Sequence, residues 1–125
     1  MNNNGFVDYV LDALSPHGNI KARKMFGGYG IYKNDLCFAL IINDVLFFKV
    51  DKGDEKRFEE YGSQPFSYEN KQGKKVIMSY WQLPVDILEN PAKLAMWIDK
   101  SFYAAQQTKK PKRTAPAKKL NQKKK

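Results

Sequence analysis

Two Asn-Asp pairs, Asn34-Asp35 and Asn43-Asp44, separate three short apolar and β-branched runs, Tyr29–Lys33, Leu36–Ile42 and Val45–Val50. Asn and Asp accept left-handed backbone at a lower cost than other residues with a side chain, and a two-residue hairpin turn demands that conformation at both central positions. Three runs of strand length joined in this way predict an antiparallel meander over Tyr29–Val50. The middle run, Leu-Cys-Phe-Ala-Leu-Ile-Ile, has no polar side. Its strand is expected at the centre of the sheet, covered on both faces or by long neighbouring side chains. A further β-rich run, Lys21–Met25, precedes the meander.

Helical spacing flanks these strands. Phe6, Tyr9, Val10, Ala13 and Leu14 recur at i, i+3, i+4, with Asn4 placed as N-cap and Pro16 and Gly18 ending the helix near Ser15. Asp51–Tyr61 reads as a second helix, with Phe58 and Tyr61 on one side and Gly62 to stop it. Phe66–Asn70 and Lys75–Tyr80 form a second hairpin around Lys71–Lys74, and a short helical turn is expected over Pro84–Glu89. The last helix opens with Asn90 as N-cap and Pro91 at its first position. Leu94, Trp97, Ile98, Ser101, Phe102 and Ala105 lie along one stripe of it, so Trp97 is expected in the core. The order is helix, meander, helix, hairpin, helix.

Charge divides the chain in two. All 13 acidic residues and 13 of the 22 basic ones fall within 1–107, which is neutral overall, while 108–125 holds nine cations and no acid. Those nine are Lys109, Lys110, Lys112, Arg113, Lys118, Lys119, Lys123, Lys124 and Lys125. The tail contains none of the 17 aromatics and only Leu120 as a large apolar residue. It cannot offset its ordering entropy and is expected to be disordered, with Pro111 and Pro116 keeping it extended. One domain over 1–107 and a Lys-rich tail over 108–125 follow. Such a tail binds polyanions through counterion release without reading sequence, and its lack of aromatics argues against a membrane anchor. A lone cysteine, Cys37, and no long apolar run point to a soluble cytoplasmic protein.

No constellation supports catalysis, a metal or a cofactor. Gly27-Gly28-x-Gly30 lacks the Lys-Ser/Thr of a phosphate loop and leads into a strand, so it reads as a structural turn in which Gly28 requires φ > 0. The carboxylates of Asp54-Glu55 and Glu59-Glu60 are interleaved with Lys52, Lys56 and Arg57, as on an ordinary wetted helix. His17 has no second histidine, and Cys37 reads as a small buried hydrophobe. Lys21, Arg23 and Lys24 form a small cluster that a strand would place partly on one face, a possible interaction surface against the simpler reading of a solvated, salt-bridged strand. In Phe47-Phe48 and Tyr80-Trp81, alternation buries one ring of each pair and leaves the other as a candidate contact, for protein rather than nucleic acid.

The block Arg23-Lys24-Met25-Phe26-Gly27-Gly28-Tyr29-Gly30-Ile31-Tyr32 resembles the Arg-x-Met-Phe-Gly-Gly-x-Gly-x-Tyr opening of the TfoX (Sxy) N-terminal domain family. Phe38–Ile41, Leu46 with Lys49-Val50-Asp51, Pro65–Tyr68, Ser79–Pro84, Trp97 and Ala104-Ala105 match later landmarks in order, so the resemblance spans Phe6–Ala105. It implies a two-layer α+β fold, α-β(3-4)-α-β(2)-α, like that of type III secretion chaperones. It also implies a part in regulating natural competence, with activation of DNA-uptake genes through the cyclic-AMP receptor protein. The family's helix-rich C-terminal domain is not expected here, the Lys-rich tail standing in its place. The sequence thus predicts a non-enzymatic accessory regulator: the domain binds a protein partner, a transcription factor among the candidates, and the tail binds nucleic acid nonspecifically. The alternative is a small chaperone or adaptor whose tail only adds charge, and a homodimer is left open.

Overall fold

Both Asn-Asp pairs turn the chain as their chemistry requires, with φ of 50° and 67° at Asn34 and Asp35 and 52° and 60° at Asn43 and Asp44. Positive φ at both central residues is the type I′ geometry that matches the twist of the flanking strands. The computed structural model describes residues 5–25 and 27–109, without the side chain of Lys109. The cap assigned to Asn4 and the tail from Lys110 onward, expected to be disordered, lie outside the described residues.

Six strands form one antiparallel sheet: β1 (Ile20–Met25), β2 (Gly28–Lys33), β3 (Leu36–Ile42), β4 (Val45–Lys49), β5 (Pro65–Glu69) and β6 (Lys75–Gln82). Their spatial order is β1-β2-β3-β4-β6-β5, so the meander has four strands and the second hairpin joins it through β6. β3 lies inside the sheet as its polar-free composition predicts. A bulge between Ile31 and Tyr32 leaves Phe38 as the extra residue in β3, and Phe38 and Ala39 are both buried.

Among the described residues four α-helices and a short 3-10 turn over Ser15–His17 accompany the sheet: α1 (Gly5–Leu14), α2 (Glu55–Glu59), α3 (Val85–Leu88) and α4 (Pro91–Lys109). They contribute to one core, in which Val10, Leu14, Phe58, Ile87, Leu94, Trp97 and Ile98 meet Ile31, Ala39, Ile41, Leu46 and Phe48 of the sheet. α4 crosses β3 and β4, α1 packs on β1, and α2 on β6. This is the expected two-layer α+β fold. Asn90 caps α4: its side-chain oxygen accepts from the Lys93 amide at 3.2 Å and its carbonyl from the Leu94 amide at 2.8 Å.

Most strand ends differ from the sequence reading by one residue, β6 runs two residues further, to Gln82, and two helices also differ. α2 is five residues long rather than spanning Asp51–Tyr61. Its C-terminus is closed by Gly62 at φ 76°, with the Gly62 amide on the Glu59 carbonyl and the Ser63 amide on the Phe58 carbonyl, while Asp51–Asp54 forms a separate turn. α4 runs two residues past the expected boundary at Gln107, with the Thr108 hydroxyl donating to the Ala104 carbonyl. No helix among the described residues is long and apolar enough to cross a membrane.

Candidate functional site

Residues paired in register on neighbouring strands share a face of the sheet, so the pairing sorts every strand side chain. Ile31, Ala39, Ile41, Leu46 and Phe48 point to the helices. The opposite face carries Tyr32, Cys37, Leu40, Ile42, Val45, Phe47 and Lys49, followed by Tyr80 on β6. All of these are half-buried, and no described helix covers them. Phe66 on β5 continues the face, its ring edge-on to Phe47 at 5.2 Å and 6.3 Å from that of Tyr68. β3 is therefore covered on one side by α4 and on the other only by its neighbours' side chains.

The two aromatic pairs divide as alternation predicts in β4, where Phe48 is fully buried and Phe47 lies on the open face. In β6 both rings are half-buried: Trp81 leans on Phe58 in the core, and Tyr80 is capped by the Lys49 ammonium at 5.0 Å. What the rings alone did not reveal is the aliphatic centre around them, Leu40, Ile42 and Val45. The signal was present in the polar-free β3 run, which serves a core on one side and an open surface on the other.

The basic cluster is split by the edge strand that carries it. Lys21 pairs with Tyr32 and Arg23 with Gly30, which places both on the open face, the Arg23 guanidinium 5.2 Å from the Tyr32 ring centre. Lys24 pairs with Tyr29 and belongs to the helix-side face. All three are exposed, as on the solvated strand face that the sequence suggested, and none is ion-paired within the described residues.

The glycine turn is structural, though for a different reason than φ alone. Gly27 takes the positive φ, 78°, whereas Gly28 is a strand residue where a Cβ would collide with the Ile41 carbonyl oxygen. At Gly30 a Cβ would meet Met25 Sδ at 2.7 Å and Cys37 Sγ at 3.4 Å. The glycines thus let β1, β2 and β3 approach closely, with Met25 lying over β2 on the open face.

With this geometry, the chain matches the family model of the TfoX N-terminal domain over residues 12–105. The chain belongs to the TfoX N-terminal domain family. The match takes in all six strands and most of α4. No curated protein matches the chain. The TfoX N-terminal family is regulatory and non-catalytic and is linked to the regulation of competence.

The shifted titratable groups on the open face of this TfoX N-terminal domain are a thiol and a phenol. Burial pushes the Cys37 thiol above its ordinary value, outweighing backbone hydrogen bonding at Ala39 and Ile31 and the adjacent Tyr80 phenol, which act the other way. A thiol so placed is a poor nucleophile. Burial, and then the neighbouring Cys37, also raise the Tyr80 phenol. Asp54 holds Arg57 in an ion pair at 2.5 Å, and the guanidinium lies 4.2 Å from the centre of the Trp97 ring, so this carboxylate clamps the core edge. His17 lines a surface cleft with Tyr9, Leu88 and Leu94, and no group of three potential ligands capable of holding a metal exists among the described residues.

Proposed function

We propose that this TfoX N-terminal domain protein is a non-enzymatic accessory regulator in the cytoplasm, in which the folded domain binds a protein partner and the basic tail binds nucleic acid without sequence preference. One observation carries the reading: a neutral body joined to a segment with nine cations and no acid. The family's link to competence supports the regulatory half, and competence genes are the proposed setting.

The test keeps the chain whole and replaces the nine cations of 108–125 by Gln. If all nine meet phosphates, the logarithm of DNA affinity falls with the logarithm of salt at a slope of about −6 to −8. The Gln variant is expected to lose DNA retardation at moderate salt, and undiminished retardation would refute the tail's role. The adaptor reading, with the tail only adding charge, draws on the open apolar sheet face. It predicts that the Gln variant keeps its cellular partner after nuclease treatment, whereas a regulator needing both halves loses it.

A further inference from the structure

We propose that the open face of the sheet docks an acidic amphipathic segment of a partner protein, with apolar side chains seated across β3, β4 and β6 and carboxylates paired with Lys21 and Arg23. The inference rests on the reading that the domain is the protein-binding half, and names the surface and the chemistry it takes. The helices bury one face only. The other leaves Leu40 and Ile42 of β3, Val45 and Phe47 of β4 and Phe66 of β5 half-buried, with the Phe47 and Phe66 rings meeting across β6. Monomeric proteins seldom leave such an apolar patch without a use for it.

Two features select protein over nucleic acid. The centre of the patch is aliphatic, and aliphatic side chains offer bases no stacking surface. Phe47 and Phe66 are engaged edge to face at 65°, and Tyr80 is covered by Lys49, so these rings are not free flat platforms.

Charge selects an acidic partner. The strands hold a single carboxylate, Glu69, which pairs with Lys75 and so lies opposite to the face that Phe66 and Tyr68 share with Phe47. The open face therefore carries Lys21, Arg23 and Lys49 and no strand carboxylate. A second copy laid on this face would bring like charges together, and the chain's own tail, all cations, is repelled by it. A segment with carboxylates beside its apolar residues meets both requirements.

The experiment uses the isotope-labelled full chain and three probes: a peptide of about 15 residues with Leu and Phe on one side of a helix and Glu on the other, the same peptide with Lys for Glu, and an oligothymidylate of about the same length. The Glu peptide is expected to shift the amide signals of Leu40, Ile42, Phe47 and Tyr80 to saturation, and the Lys peptide to bind about tenfold more weakly or less. Lys21→Glu with Arg23→Glu changes two exposed side chains and is expected to weaken the Glu peptide by about tenfold while leaving the remaining spectrum unchanged. The proposal is overturned by Glu-peptide shifts confined to the helices or the tail, by equal binding of the Lys peptide, by an oligothymidylate that maps to the same amides more tightly, or by a concentration-dependent dimer that broadens them without peptide. Failure of the broader reading shows elsewhere, as DNA retardation indifferent to the tail cations, while the peptide shifts report on the face alone.

Discussion

A Cβ on Gly28 would strike the carbonyl oxygen of Ile41 on the neighbouring strand, whereas one on Gly27 would meet open space at a φ of 78°. Backbone cannot yield as a side chain can, so Gly28→Ala is expected to cost about 2–3 kcal/mol by forcing β2 from β3. Gly27→Ala carries only the strain of left-handed backbone, about 1 kcal/mol. Urea melts of the two variants rank them, and equal midpoints would contradict the close-approach account. The half-buried thiol and phenol give a second outcome. Cys37 and Tyr80 are neutral when protonated, and the fold raises them above ordinary values of 9.0 and 10.0. The unfolded chain then releases these protons first, so stability is full below pH 9 and falls as pH climbs past it. In Cys37→Ala the fall should begin later, with the phenol, in denaturation curves taken across that range.

At the scale of single elements, α4 and the I′ turns make the sharpest claims. Trp97 is 2% exposed, T-shaped against Phe58 at 4.7 Å and Tyr61 at 5.5 Å, with the Arg57 guanidinium over its ring. Trp97→Ala is expected to cost about 3–5 kcal/mol, read as a lowered denaturant midpoint. Asp44 sits at φ 60°, a conformation glycine adopts freely, so Asp44→Gly is expected to raise the thermal midpoint, by up to about 1 kcal/mol of stability. Both elements were legible in the sequence because their signals are local: two turn residues, or an apolar stripe with a cap. Asp51–Tyr61 was overread because charged residues suit a helix and a turn alike, and hydrogen bonds through Gly62 and Asp51 decide the ends. The joining of β4 to β6 had no local signal, and without it the pairing that unites Phe47 with Phe66 on one surface could not be read. Lys21, Arg23 and Lys24 were legible as a cluster, but only the register with β2 shows that two of them share the open face.

The whole molecule joins a neutral body, with an apolar sheet face that no described helix covers, to a tail that supplies all the net charge of +9. Replacing the nine tail cations by Gln brings the net charge to zero at neutral pH, where colloidal repulsion vanishes. Light scattering of that variant at low salt and neutral pH is expected to rise with concentration well beyond that of the parent chain, and an unchanged signal would show that the tail does not keep the molecules apart. The strand order also sets an order in time. β1 to β4 are joined by two-residue connections, so their hairpins close over little chain, but β6 reaches β4 only after residues 50–74 have been drawn in with α2 and β5. Loop closure makes that joint the slow one. Until that joint closes, β1–β4 and the β5–β6 hairpin each present their own side chains, and Phe47 and Phe66 come together on one surface only in the finished sheet.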